Sequence, residues 1–332
     1  LQKQSGDVAR AGPGDPTARI DRPRGTRVSA NRAKPFYGWY VALACGVGLA
    51  CGIACVVTYT FSIFLAPLMA EFAWSQTDVF LGLTLSVITV ALAAPVLGSA
   101  IDPAGPRRMI LTSIVAQALM IASFSQQTGE LWTFYARLVL QTILALGTTH
   151  VAFTRVIAVW FDRKRGLALG VALAGLGIGG FIWPPYVQFL IDAFGWRMAY
   201  LGLGATVFAV SFPVIALVVR NTPQSMGLQP DGDAAPPAGT PAAGPPPGLT
   251  VAETLRTSTF WLMLAAFLII GLSITSVQLS LPPLLRSRGV APMLAAAALS
   301  SVALALVFGR VAAGWLMDRF FAPRVAIAFL AG

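Results

Sequence analysis

The feature that most constrains this chain is a series of apolar runs, each about as long as a bilayer is thick. A hydrocarbon core about 30 Å thick needs roughly 20 apolar residues of helix. Backbone polar groups cannot stay unpaired in lipid, and runs of this length exclude the alternating strands of a membrane barrel, which are about 10 residues long. The sequence therefore predicts an all-α polytopic membrane protein, with spans at 38–66, 79–101, 109–127, 131–158, 167–191, 198–219, 259–281, 292–316 and 323–332. The last run is shorter than a span, so we expect the chain to stop inside its ninth span.

Composition excludes the soluble classes and gives no sign of an enzyme. Hydrophobic residues make up 56% of the chain and charged residues 11%, whereas an average soluble domain is roughly 25% charged. The chain has one histidine, no phosphate-binding loop and no cluster of acids at one membrane face, as a membrane enzyme would need. Cys45, Cys51 and Cys55 share one apolar run without metal-ligand spacing, so we expect no disulfide, metal or cofactor.

The positions of Lys and Arg predict the orientation of the spans. With the N-terminus inside, inward segments hold seventeen of these residues and outward loops hold three, Arg197, Arg286 and Arg288. This bias predicts a cell-membrane protein with a cytoplasmic N-terminus and a cytoplasmic central linker. The net charge of +10 is therefore a topology signal rather than a nucleic-acid patch, and the basic tail is suited to contact anionic lipid.

The order of these segments predicts four parts. Residues 1–35 form a disordered basic tail, and 36–220 form a six-helix bundle. Residues 221–256 form a linker that is rich in proline and disordered over 221–250. Thr250 and Glu253 have capping-box spacing, which predicts a short helix before the seventh span. The remaining part, 257–332, begins a second bundle.

A gapless internal repeat supports this division. APVLGSAIDPAGPRRMIL (94–111) aligns with RVAAGWLMDRFFAPRVAI (310–327), each at the inner end of an even-numbered span. Both segments resemble the G-x-x-x-D-R-x-G-R-R loop of the major facilitator superfamily, although Pro103 replaces an arginine and the second copy lacks the loop glycine and one arginine. The resemblance implies two pseudo-symmetric six-helix bundles, the second incomplete here, and a gating loop in which an aspartate pairs with arginines. Its residues here are Gly98, Asp102, Arg107, Arg108, Gly314, Asp318, Arg319 and Arg324.

Three further stretches resemble the monocarboxylate transporters and the oxalate/formate antiporters within that superfamily. They are FYGWYV (36–41), WFDRKRGLALGVALAGLGIGG (160–180) and GRVAAGWLMD (309–318). The resemblance implies transport of small carboxylates by alternating access, with the arginine of the eighth span recognising the anion. The family often has an aspartate one turn earlier, where this chain has Leu306.

Arg310 is the first candidate for substrate binding. It lies eight residues before Asp318, or about 12 Å along the helix. A charge at that depth is expensive in lipid, and a guanidinium can hold a carboxylate with two hydrogen bonds. The alternative is a structural arginine that donates to carbonyl groups of a neighbouring helix.

The fourth span supplies further candidates. Arg137 and Arg155 are 18 residues apart, which places them on the same face of a continuous helix. Gln141 and Thr148 lie near that face and complete a polar stripe. His150 lies off the stripe, where we expect it to pack between helices rather than relay protons. Tyr59 in the first span and Gln278 in the seventh are candidate cavity residues.

The fifth span combines small residues with prolines. Gly166 and Gly170, and Gly175 and Gly179, have the four-residue spacing that lets membrane helices approach closely. We expect them to serve helix packing, and Pro184–Pro185 to kink the span.

The leading hypothesis is a gradient-driven symporter or antiporter of small organic anions, coupled to a proton or to an exchanged anion. The alternatives are a major facilitator exporter or importer of a neutral or drug-like solute, and a receptor that binds solute without moving it.

Overall fold

The computed structural model describes residues 36–233, 251–320 and 325, and its regular elements there are helices. Ten α-helices are present in those ranges, and short 3-10 turns join some of them. Their bounds are α1 Tyr37–Ala50, α2 Ile53–Phe72, α3 Gln76–Ala104, α4 Pro106–Ser123, α5 Leu131–Leu144, α6 His150–Trp160, α7 Arg165–Val218, α8 Val251–Leu255, α9 Ser258–Ser287 and α10 Pro292–Arg319.

Six helical stretches in the described part of the chain are long and apolar enough to cross a membrane, and two more apolar helices are shorter. The second, third, seventh and eighth predicted spans each correspond to one of the long stretches, in α3, α4, α9 and α10. The all-α membrane fold is therefore confirmed. The predicted ninth span, 323–332, lies outside the described residues apart from Val325.

The first and fourth spans are not the continuous helices that the apolar runs predicted. The first breaks between α1 and α2, at Cys51 and Gly52. The fourth breaks between α5 and α6, where Leu146–Thr148 form a 3-10 turn. Hydropathy does not register such breaks, because the residues at each one remain apolar or small.

The fifth and sixth spans form the 54-residue α7, whose backbone leaves the helical region at Gly195. Gly195 has φ 80° and ψ 162°, a conformation that residues with a Cβ rarely adopt. Pro184 and Pro185 lie inside the helix. The chain therefore changes direction at this glycine, and the kink expected at the prolines stays a prediction.

Connections at one end of the helices are tied together by hydrogen bonds, and we call this end the basic face. Asn221 Oδ1 accepts from the Arg107 amide at 3.2 Å. Asp231 Oδ2 accepts from the amides of Asp162 and Arg163 at 2.9 and 2.7 Å. The linker was expected to be disordered from residue 221, but 221–233 form turns held by these contacts. The predicted short helix before the seventh span is found as α8.

The opposite end of the helices, the far face, carries Glu71, Trp196 and Arg197. Trp196 Nε1 donates to Glu71 at 2.6 Å, and Arg197 pairs with Glu71 at 2.6 Å. These contacts join the end of α2 to the turn at Gly195.

Several predictions fall outside the described residues. These are the basic tail 1–35, the linker 234–250, and Arg324. Gly98 and Asp102 lie on α3, but their side chains are not in the described part.

Candidate functional site

Helices α7 and α10 approach each other closely along glycines, three of which lie toward the basic-face end of the contact. A Cβ added to Gly314 would lie 2.5 Å from the Gly166 carbonyl oxygen, and one added to Gly170 would lie 2.8 Å from the Arg310 carbonyl oxygen. Real Cβ atoms essentially never approach so closely. Only glycine permits this spacing of α7 and α10, which we call the glycine seam.

Gly175 and Gly179 face a different neighbour. A Cβ on Gly179 would lie 2.5 Å from the Ala50 carbonyl oxygen, and one on Gly175 would overlap Gly46. The two glycine pairs of the fifth span therefore pack against opposite partners, one pair against α10 and the other against α1.

Asp318 lies at the basic-face end of the glycine seam. Its carboxylate accepts from the amides of Gly166 at 2.9 Å and Leu167 at 2.7 Å. These amides belong to the first turn of α7, where helical N–H groups lack partners and the helix dipole favours an anion. The expected pairing of Asp318 with Arg324 stays a prediction, since Arg324 lies outside the described residues.

Arg310 lies on α10 about two turns before Asp318, and its side chain reaches across to α7. Its Nη1 donates to the Leu173 carbonyl oxygen of α7 at 3.1 Å, the contact expected for a structural arginine. A guanidinium has five N–H donors, and within the described residues Arg310 makes this one hydrogen bond and no ion pair. The side chain is partly buried, so much of its donor capacity remains available.

Tyr59 and Gln278 meet beside Arg310. Gln278 Nε2 donates to the Tyr59 hydroxyl at 3.0 Å, and both side chains are buried. A Cβ on Gly180 would lie 2.5 Å from Tyr59 Cζ, so the ring packs directly on α7. Arg310 and Tyr59 both contact α7, at the Leu173 carbonyl oxygen and at Gly180. Three predicted substrate residues from α2, α9 and α10 thus share one cluster, which we call the Arg310 cluster.

A second contact of α9 was not expected from the sequence. Arg286 Nη2 donates to Gln188 Oε1 at 3.0 Å, and Gln188 Nε2 donates to Asp192 Oδ1 at 2.8 Å. The sequence predicts only an outward-loop position for Arg286, because its apolar run ends at residue 281. The helix continues to Ser287, and that extension brings Arg286 against α7.

The other predicted substrate residues lie away from the Arg310 cluster. Gln141 lines a cavity of about 40 Å³ among α2, α3, α4, α5 and α7. Arg137 Nη1 donates to Gln127 Oε1 at 2.8 Å. The break in the fourth span removes the continuous helix on which the predicted stripe depended, and Arg155 and His150 are exposed while Thr148 is buried. Roles for Arg137 and Gln141 in substrate binding stay predictions.

The remaining arginines of the predicted gating loop lie near the basic face. Arg107 Nη2 donates to the Ala216 carbonyl oxygen at 2.7 Å, which links the start of α4 to the end of α7. Arg108 is exposed. Arg319 stacks over Trp315, with 4.3 Å between the guanidinium carbon and the ring centroid.

Neither the cysteines nor the acids form a metal site in the described part of the chain. Cys45, Cys51 and Cys55 are free and buried, and no group of three His, Cys, Asp or Glu side chains there could hold an ion.

Long apolar helices, two of which pack along a glycine seam with polar contacts beside it, define a polytopic helical membrane protein. The chain belongs to the Major Facilitator Superfamily, whose family model matches residues 47–332.

Its relatives include named monocarboxylate transporters. The chain is 28% identical to monocarboxylate transporter 13 of Bos taurus over 310 residues, which cover 91% of this chain and 67% of that protein. It is 28% identical to monocarboxylate transporter 12-B of Danio rerio, with 85% of this chain and 62% of that protein covered. It is also 28% identical to monocarboxylate transporter 11 of Mus musculus, with 88% and 62% covered. The chain thus spans about two thirds of the length of these relatives.

Proposed function

We propose that this chain contains the anion-recognition part of a gradient-driven transporter of small monocarboxylates. The observation that supports this most directly is the Arg310 guanidinium, which lies between α7 and α10 and makes one hydrogen bond to a neutral carbonyl. An arginine in a membrane span without a carboxylate partner is expensive. A substrate carboxylate can supply that partner through two parallel N–H···O bonds.

The neighbours of Arg310 suit a small organic anion. Tyr59 and Gln278 add a hydroxyl and an amide that can accept or donate a hydrogen bond. Both belong to helices that meet at this contact, so a bound anion would bridge α2, α9 and α10. Alternating access would then proceed by exchange of these contacts between bundles 36–220 and 257–332, driven by a proton or an exchanged anion.

We place the protein in the cell membrane with the basic face in the cytoplasm. The supporting observation is the excess of Lys and Arg in the segments predicted to face inward, seventeen against three in the outward loops, as the positive-inside rule requires. Cysteines introduced at exposed positions 108 and 288, and probed with a membrane-impermeant maleimide on intact cells, test this orientation. Labelling at 288 and protection at 108 is the expected result, and the reverse would refute it.

Uptake into proteoliposomes that contain the complete protein tests the substrate class. Labelled acetate, pyruvate and lactate are supplied to wild-type, Arg310→Ala, Arg310→Lys and Arg288→Ala proteins. Arg288 is the matched control, because it is an exposed arginine at the end of α9. Loss of a bidentate, charge-assisted contact of about 3 kcal/mol lowers kcat/KM roughly a hundredfold.

We expect that loss in Arg310→Ala, a smaller loss in Arg310→Lys and no change in Arg288→Ala. Lysine keeps the charge but lacks the planar fork of donors. Absence of carboxylate uptake by the wild-type protein, or uptake that is indifferent to Arg310, would contradict the proposal. Uptake of a neutral or drug-like solute instead would then identify the alternative transporter class, and binding without flux would identify a receptor.

A further inference from the structure

The two broken spans of the first bundle break at the same place. A Cβ added to Gly52 would overlap the Thr148 carbonyl oxygen, so the break in the first span packs against the break in the fourth. Gln117 of α4 reaches both breaks. Its Nε2 donates to the Cys51 carbonyl oxygen at 2.9 Å, and its Oε1 accepts from the Thr148 hydroxyl at 2.6 Å.

Side chains replace the helical hydrogen bonds that each break removes. Thr148 Oγ1 accepts from the Ile53 amide at 3.1 Å, and Trp183 Nε1 donates to the Ala50 carbonyl oxygen at 2.6 Å. Ser113 Oγ accepts from the Gly147 amide at 3.2 Å. Non-helical backbone at membrane depth is tolerated only where such partners exist. Since the protein itself supplies them, the breaks need no bound ion or solute to be stable.

The hydrophobic core of the bundle is divided at the same level. One cluster of buried side chains lies toward the basic face and includes Leu49, Ile114, Leu146, Phe153 and Ile215. The other lies toward the far face and includes Cys51, Ile121, Leu138, Trp183 and Val207.

Between the two clusters lie buried polar residues. Gln117 lies between Ile114 and Ile121 along α4, and Ser211 lies between Val207 and Ile215 along α7. We call Ser113, Gln117, Thr148 and Ser211 the polar waist. The first and fourth spans are both interrupted at this waist, so each of them can bend there without distorting a continuous helix.

We propose that the first bundle bends at the polar waist and that Gln117 is the positioning residue that couples the two breaks into one hinge. Bending would move α2 relative to α1. Tyr59 lies on α2 just beyond the break and contacts Gln278 of α9, so the hinge sets the position of one wall of the Arg310 cluster. This inference rests on the proposed function only for its effect on transport.

Hydrogen–deuterium exchange of the complete protein in lipid nanodiscs tests the coupling without any substrate. Gln117→Met removes both hydrogen bonds and keeps an unbranched side chain of similar length. Ser211→Ala is the matched control, because the Ser211 hydroxyl lies at the waist but bonds its own helix, at the Val207 carbonyl oxygen, 2.6 Å away. Peptides that cover 48–56 and 143–151 report the two breaks.

In Gln117→Met we expect exchange to become roughly tenfold faster in both peptides together, the scale set by one or two lost interhelical hydrogen bonds. Ser211→Ala is expected to leave both peptides unchanged. Faster exchange in one peptide alone, or equal effects of the two variants, would overturn the inference.

Pyruvate uptake gives the second readout. Since hinge substitutions often change kcat and KM together, the hinge predicts that Gln117→Met lowers kcat/KM for uptake roughly tenfold while Ser211→Ala leaves it unchanged. Unchanged uptake in Gln117→Met, or equal losses in both variants, would overturn the role of the hinge in transport. Absence of pyruvate uptake by the wild-type protein contradicts the proposed function instead, and the substrate-free exchange result then decides the hinge by itself.

Discussion

Replacing Gly314 by alanine should push α10 away from α7. The added Cβ would lie 2.5 Å from the Gly166 carbonyl oxygen, whereas ordinary contact begins at 3.4 Å. The obstacle is backbone, which cannot rotate out of the way as a flexible side chain can. The helices must therefore separate by about 0.9 Å, the difference between those two distances.

A separation of that size also removes the contact of Asp318 with the start of α7. The two hydrogen bonds from Gly166 and Leu167 measure 2.9 and 2.7 Å. An added 0.9 Å takes both to about 3.6 Å or beyond, where a hydrogen bond no longer exists. Because Asp318 is exposed, we discount these charge-assisted bonds to about 1 kcal/mol each. The free energy of unfolding should therefore fall by about 2–3 kcal/mol once lost packing is included.

Thermal unfolding in detergent measures this loss through the protein's own cysteines. Cys45, Cys51 and Cys55 are free and buried, so a thiol-reactive fluorophore labels them as the bundle opens. A loss of 2–3 kcal/mol corresponds to a decrease in Tm of about 3–4 °C for a chain of 332 residues. Gly309→Ala is the matched control on the same helix, because a Cβ there meets nothing within 4 Å.

Equal Tm values for Gly314→Ala and Gly309→Ala would refute the reasoning, since the seam would then not depend on the glycine. Asp318→Ala separates the two contributions. It removes the hydrogen bonds but leaves the glycines, and its effect on Tm should be about two thirds of that of Gly314→Ala or more.

Two further predictions concern contacts at other depths. In a double-mutant cycle, Tyr59→Phe and Gln278→Leu should show a coupling energy of about 0.6–1 kcal/mol in the free energy of unfolding, and additive effects would mean that the 3.0 Å contact contributes nothing. At the basic face, Asp231→Ala should make residues 222–233 roughly tenfold more sensitive to limited proteolysis. The reason is that the Asp231 carboxylate accepts hydrogen bonds from the amides of Asp162 and Arg163, and these contribute about 1–2 kcal/mol to the stability of the turns. Asp231→Asn keeps an acceptor oxygen and tolerates the positive φ of 58° at this position, so cleavage rates that rise equally in both variants would contradict the account.

The helical membrane fold could be predicted because it depends on a one-dimensional property. Length and polarity along the chain decide whether a segment crosses a bilayer. The breaks at Cys51–Gly52 and at 145–149 could not be predicted in this way. Their stability depends on Gln117, Thr148 and Trp183, which are distant in sequence and contribute only through hydrogen bonds to backbone.

The candidate site was predictable where a charge interrupts an apolar run, as at Arg310. Its contact with Leu173 was not, because a backbone carbonyl leaves no mark in the sequence. The prediction of a polar stripe on the fourth span was wrong for a related reason. The stripe requires one continuous helix, and the 3-10 turn at Leu146–Thr148 changes the angular position of every side chain that follows it.

The contacts between α9, α10 and the first seven helices share one chemical property that suits them to transport. The Asp318 carboxylate accepts from backbone amides, and Arg310 donates to a backbone carbonyl oxygen. Gln278 donates to a tyrosine hydroxyl, and Arg286 donates to the side-chain oxygen of a glutamine. None of these four is an ion pair, so each costs less to break than two buried opposite charges would.

The Arg310 guanidinium nevertheless keeps a full charge whose hydrogen-bond partner is a neutral carbonyl oxygen. Under the proposed function, an entering carboxylate would gain more from Arg310 than the Leu173 carbonyl oxygen does, because it brings its own negative charge and can accept two parallel hydrogen bonds from the guanidinium. Under the proposed function, a substrate anion would displace that contact and shift the equilibrium between two arrangements of the seam. A carboxylate of the protein at Leu306 would compete for the same guanidinium, and its absence leaves that exchange to the substrate.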